Sequence, residues 1–288
     1  MQFFVNGFVE GLLLAIAALA FGVVYMSTHI FYIALAAIFV FVPSVAHYMI
    51  KIGVPWYISF IVSILIGLLM SSACELLNHR PLERKRASLG AHLISSLGIY
   101  MIIIQCVVLL WGNQTKSLVS STNRSFAVGN FVIAEPQLVS ATICVIIMGV
   151  FFWWVRNSSI GLKLRALSDN PVELSLRGYN IDSLRIFVFA LSGFLFSIVS
   201  LLAAYDKGVD PYSGLPFFLL AVVSFIIGGR DSLYGPVLGG IIVGVVRSMT
   251  IWIFSAGWQD AITFLLLAVI LFVKPGGIFG ETRRLEAE

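Results

Sequence analysis

Nine apolar runs punctuate the sequence, at residues 3–26, 30–50, 57–77, 91–111, 138–155, 184–205, 215–229, 233–254 and 261–273. A helix needs about 20 mostly apolar residues to cross a hydrocarbon core of about 30 Å, and most of the runs reach that length. Lipid cannot satisfy free backbone polar groups, and the runs lack barrel-like alternation, so helix is the required form. The seventh and ninth runs are short and fit a weakly tilted, broken or re-entrant helix. The expected fold is an all-α polytopic transmembrane bundle of about eight or nine membrane segments, forming a single domain over 1–288. With 59% apolar and 11% charged residues, the chain lies far from the water-soluble balance and has no room for a separate soluble catalytic domain.

Charge placement gives an orientation. If the N-terminus is outside and all nine runs cross, thirteen basic residues fall on the cytoplasmic side (Arg80, Arg84, Lys85, Arg86, Arg156, Lys163, Arg165, Arg177, Arg185, Arg230, Lys274, Arg283 and Arg284). Only four, Lys51, Lys116, Arg124 and Lys207, stay outside, with Arg247 inside a run. This positive-inside bias predicts N-out and C-in. The first fifty residues hold no Lys or Arg before Ile50, so no basic leader region is expected and the first run stays as a helix. Residues 112–137 form the longest external connection, rich in Ser, Thr and Asn, and suit a solvated loop with some short structure.

The basic residues lie in short loops rather than on a continuous polar face, which excludes nucleic acid as a partner despite a pI near 9.0. Cys74, Cys106 and Cys144 all fall within apolar runs and lack metal-ligand spacing; they read as small apolar fillers. No phosphate-binding G-x-x-x-x-G-K-[ST], zinc-binding H-E-x-x-H or serine elbow occurs. The chain is therefore expected not to be an enzyme and to hold no metal or cofactor; any energy source comes from another subunit or an ion gradient.

The cytoplasmic stretch 156–183 carries the densest local signals. Asn170 can cap a helix, Pro171 fits its first position, Glu173 completes a capping box, and Gly178 can take the left-handed conformation past its end. A helix of about two turns is marginal alone, so it must pack on its own chain or on a partner.

From Gly161 to Asn180, followed by an apolar helix with Ser192-Gly193, the sequence resembles the cytoplasmic coupling segment of LivH-type permeases in the branched-chain amino-acid ABC importer family. The likeness extends to Asn6-Gly7 and Gly11, Glu75 with Arg80-Pro81-Leu82, Ser96-Leu97-Gly98, the stretch from Gly228 to Pro236 with Gly239-Gly240, and the stretch from Lys274 to Gly280. This resemblance implies a subunit of an importer in the bacterial inner membrane. Two related permeases would form the pathway, two cytoplasmic ATPases would bind ATP and drive it, and a periplasmic binding protein would deliver substrate. Gly161, Arg165, Asp169, Asn170, Pro171, Glu173 and Gly178 would then form the site coupled to an ATPase. Leucine, isoleucine or valine is the leading substrate class, with urea or short amides of the same family as an alternative and a stand-alone gradient-driven transporter as a different class.

Gly235-x-x-x-Gly239 and Gly240-x-x-x-Gly244 place small residues one turn apart and permit close helix approach, either as tight packing or as a hinge. Pro43 removes a helical donor within the second run and predicts a kink. Glu10 and Arg247 sit at similar depth, each about 10 Å below the external surface at 1.5 Å per residue. Three arrangements fit them: snorkelling, mutual pairing, and separation across the pathway to meet the ammonium and carboxylate of an amino acid. His92, Glu75 and Lys163 lie at run ends and read as solvated or interfacial.

Overall fold

The computed structural model describes residues 2–118, 125–128, 131–169, 171–230 and 232–280. Each apolar run contains a helix: α1 (Gln2–Thr28), α2 (Leu35–Lys51), α3 (Trp56–Cys74), α5 (Leu89–Trp111), α6 (Glu135–Asn157), α9 (Ile181–Asp206), α10 (Gly214–Gly228), α11 (Gly235–Ile253) and α12 (Gln259–Val273). A π-helical turn (Glu75–His79) and the short α4 (Arg80–Arg84) prolong α3, so Trp56–Arg84 is one 29-residue span. Between α6 and α9 lie α7 (Ser159–Asp169) and α8 (Pro171–Leu176). A small antiparallel hairpin, β1 (Ser125–Val128) with β2 (Phe131–Ala134), occupies part of the long polar connection and pairs Ser125 with Ala134. Among the described residues, seven spans are long and apolar enough to cross a membrane; α2 and α10, with 17 and 15 residues, are shorter apolar helices. Pro43 lies inside a continuous α2.

The chain forms two compact units, residues 23–219 and residues 1–22 with 220–288, and the division runs through α1 and α10. In the larger unit, α3 packs most extensively on α9, and α2 packs on α3, α5 and α9. Aromatic side chains fill its core: Phe39 stacks on Phe217 with centroids 4.3 Å apart, and Phe196 meets both Phe39 and Phe217 edge-on. Cys74 and Cys144 are buried as expected of small fillers, whereas Cys106 lies on an exposed face of α5 among Met101, Ile102 and Leu109. Its apolar neighbours face outward because only one stripe of α5, including His92, Ser96, Tyr100 and Ile104, meets the bundle. At one end of the unit, Lys116 pairs backbone to backbone with Val209, and the Ser117 carbonyl lies 3.0 Å from His47 Nδ1. Burial lowers the Lys116 ammonium from its ordinary value, with the charge of Asp210 acting in the opposite sense.

In the smaller unit, glycines bring backbones into contact. A Cβ at Gly240 would lie 2.4 Å from Ala15 N, and one at Gly244 would lie 2.3 Å from Gly11 Cα, so α11 runs against α1 with no side chain between them. Gly239 stands in the same way against Ser224 of α10. Past α12 the chain folds back under α10. Ile278 N donates to the Ile227 carbonyl (2.9 Å) and Phe279 N to the Gly228 carbonyl (3.0 Å). Two carbonyls left open at the end of α10 are thus satisfied by a distant segment instead of by water. Gly229 and Gly277 take φ of +117° and +84° at this seam, and a Cβ at Gly277 would lie 2.6 Å from Gly229 Cα. The Gly228-Gly229 and Lys274–Gly280 motifs are two sides of one backbone contact.

Candidate coupling segment and buried charge sites

The stretch between α6 and α9 holds more helix than its capping signals predict. Ser158 starts α7: its Oγ accepts from Ile160 N (3.1 Å) and its carbonyl from Leu162 N (3.1 Å). Gly161, Leu164 and Leu167 face inward at helical spacing. Gly161 is required by contact, since a Cβ there would lie 2.2 Å from the Val155 carbonyl at the end of α6. Arg165 Nη2 donates to that same carbonyl (3.2 Å), so its guanidinium closes the end of α6. Asp169 is exposed at the end of α7. Asn170 lies outside the described residues; Pro171 begins α8, as its fixed φ favours.

Glu173 reaches forward to Arg177 (2.6 Å), an exposed i,i+4 pair. Gly178 takes φ +84°, its N–H donating to the Ser175 carbonyl (2.9 Å) while Tyr179 N donates to that of Leu174 (3.4 Å). These paired bonds are the Schellman stop anticipated from the glycine. Asn180 then caps α9 by accepting from Ser183 N (3.2 Å). The segment is secured to its own chain along one side, yet Leu162 and Leu176 remain 62% and 82% exposed on the other. Lys163 lies 5.0 Å from the Tyr179 ring centroid, covering part of a third exposed apolar group.

In the smaller unit, Arg247 Nε lies 3.6 Å from Glu10 Oε1, and Arg247 Nη1 donates to Asp260 Oδ1 at 2.6 Å. The Arg247 side chain is 11% exposed, and Asp260 is the more exposed acid. Of the three arrangements the sequence allows, the geometry is that of pairing, with Asp260 as a second partner. Asp260 lies at the start of α12, where the sequence alone shows no more than an ordinary first-turn acid.

A further polar cluster lies in the larger unit where Glu75 and His92 were expected to be solvated. Both are buried instead, at 1% and 2% exposure, because α9 and the α1–α2 connection cover them. Arg185 Nε donates to Glu75 Oε1 (2.9 Å) and Nη1 lies 2.6 Å from Glu83 Oε2. Arg80 pairs with Asp182. His79 stacks on His92, with Nδ1 atoms 3.2 Å apart. Tyr32 donates to Ser71 Oγ (3.2 Å), which donates to the Phe189 carbonyl (2.7 Å), and Ser96 Oγ accepts from Ala34 N (2.9 Å). Charges at helix ends look solvated in one dimension; these find partners as far as 110 residues away in sequence.

Apolar spans, outward-facing aliphatic surfaces and polar groups gathered at helix ends define a multi-pass membrane bundle. The chain belongs to the family described as branched-chain amino acid transport system permease component, which it matches over residues 3–272. It is 28% identical to the "High-affinity branched-chain amino acid transport system permease protein LivH" of Salmonella typhimurium, over 77% of this chain and 73% of that protein. A "Probable branched-chain amino acid transport permease protein LivH" of Methanocaldococcus jannaschii is 23% identical over 93% and 89% of the two chains. Among solved structures, "PsaBC from Streptococcus pneumoniae in complex with Fab" shares the fold, with a TM-score of 0.55, 14% identity and coverage of 97% and 94%.

Proposed function

We propose that this chain is one permease half of an ATP-driven importer for branched-chain amino acids, a single permease domain in the bacterial inner membrane with its N-terminus outside and its C-terminus in the cytoplasm. A second, related permease completes the pathway. Two separately encoded ATPases bind the ATP and dock on residues 159–178, and a periplasmic binding protein delivers the substrate. The chain itself is not an enzyme and carries no cofactor. The observation that carries this reading is the family match along nearly the whole chain, joined to a segment that is fixed to its own bundle on one side and presents Leu162 and Leu176 on the other. Exposed leucines rimmed by charges suit a partner surface. The positive-inside bias supports the orientation, and the names of the relatives support the substrate class.

Reconstituting the permease pair with ATPases and binding protein tests the reading: uptake of leucine, isoleucine or valine is expected to require ATP and every subunit. Accumulation by the permeases alone under an ion gradient overturns it. Thermal stabilisation of the cognate binding protein, screened with amino acids, urea and short amides, identifies the substrate class directly.

A further inference from the structure

α3 meets α9 through a ladder of small residues. Ser59, Ser63, Gly67 and Ser71, four apart, are fully or nearly fully buried, and Glu75 continues the same row. A Cβ at Gly67 would lie 1.9 Å from Ser197 Oγ, and one at Gly193 would lie 2.4 Å from Ser71 Cβ. The backbones run almost in contact, without the tall interlocking side chains that ordinarily fix the axial register of two helices. Register is set at one end, where Arg185 bridges Glu75 and Glu83 and Arg80 pairs with Asp182.

A buried ion pair adds little stability, because desolvation offsets its attraction. Here Glu75 Oε2 and Arg185 Nη2 are also buried without hydrogen-bond partners among the described residues. What such a pair does well is select one alignment: a slip of one residue, about 1.5 Å, stretches a 2.9 Å contact lying across the axis to about 3.3 Å and bends it, past the ordinary range for an N–H···O bond. Glu75 also opens the π-helical turn Glu75–His79, a local departure that recurs at functional positions. Arg185 stands in the second turn of α9, whose start follows directly on the Gly178 stop and Asn180 cap of the 159–178 segment.

We propose that Glu75, Arg185 and Glu83 form the latch of a sliding joint between α3 and α9, and that movement of the 159–178 segment works on the transport pathway by opening and closing it. The inference rests on the permease reading above for its role in transport, but the latch can be observed independently of substrate and ATPase.

Spin labels at Trp56→Cys on α3 and Ser183→Cys on α9, with the native cysteines replaced by alanine, lie on exposed positions. They span about 30 Å along the helix axis at 1.5 Å per residue. In lipid nanodiscs the wild-type pair is expected to give a narrow distance distribution. Glu75→Gln is expected to broaden or shift it, and the Glu75→Arg/Arg185→Glu exchange to narrow it again. Glu75→Asp, which keeps the charge and shortens the reach, serves if the glutamine variant does not assemble, and is expected to broaden the distribution less. In the complete complex, the variant is expected to keep ATP hydrolysis while uptake per ATP falls at least tenfold. A distribution as narrow as wild type in the assembled variant, or a proportional fall of hydrolysis and uptake, overturns the latch. Loss of ATP dependence in the wild-type complex overturns the permease reading and leaves the distance result standing.

Discussion

Alanine at Gly240 or Gly244 should destabilise the protein, while the same change at Gly149 should not. The added Cβ at Gly240 would lie 2.4 Å from Ala15 N and 2.5 Å from Ala15 Cα; at Gly244 it would lie 2.3 Å from both N and Cα of Gly11. These are backbone atoms of α1 and cannot rotate away. Restoring ordinary contact requires the two helices to part by about 1 Å, which forfeits dispersion along the whole seam. In lipid no hydrophobic drive replaces it. Overpacking of this kind costs about 1–3 kcal/mol.

At Gly149 of α6 nothing lies within 4 Å of the added methyl, and replacing glycine in a helix interior gains at most about 1 kcal/mol. The two substitutions are chemically identical and should differ in sign. Thermal unfolding in one detergent at one scan rate should place Gly240→Ala and Gly244→Ala about 2–10 °C below wild type and Gly149→Ala at or above it. Should Gly240→Ala melt with or above Gly149→Ala, the close approach of α1 and α11 is not what those glycines secure.

Other substitutions test the remaining contacts. Gly161→Ala should push α7 off the end of α6 and break the Arg165 bond to the Val155 carbonyl, lowering uptake per ATP while membrane yield is retained. Gly178→Ala forces a side chain into the left-handed region at a cost of about 1–2 kcal/mol, read as faster amide exchange over 171–178, with Gly178→Asn affected less. In a double-mutant cycle, Glu10→Gln and Asp260→Asn should be mild singly and worse together than their sum by at least about 0.5 kcal/mol, because only the double variant strips both acids from Arg247. Tyr32→Phe should cost about 1 kcal/mol by removing the hydroxyl that donates to Ser71, whereas Ser71→Ala should cost more, leaving the buried Tyr32 hydroxyl without its Ser71 acceptor while the Phe189 carbonyl, inside α9, keeps its helical donor.

The helices were legible in the sequence because long apolar runs have one solution in lipid, and even the short seventh run resolves as α10. The stop at Gly178 was legible for a different reason: its bonds close within five residues, so local sequence contains every partner. α7 was not, since an eleven-residue amphipathic helix with three inward positions differs little from a polar loop until α6 supplies the Val155 carbonyl that it packs on. Glu75 and His92 read as solvated in the sequence for the same reason in stronger form, because their cover comes from segments distant along the chain. Pairing of Glu10 with Arg247 was one of three allowed outcomes; depth along two helices limited the choice, but only their lateral placement selects among them.

The glycines in the motifs that carry the family resemblance share one physical situation. Gly161 meets the Val155 carbonyl, Gly228 the Gly235 carbonyl, Gly239 the Ser224 carbonyl, Gly240 the Ala15 backbone and Gly277 the Gly229 Cα. In each case the neighbour is main chain, so the constraint survives almost any change of surrounding side chains. A larger residue at any of these points must move a helix, while an apolar residue facing lipid can be exchanged for another at little cost. These glycines therefore mark where backbones touch.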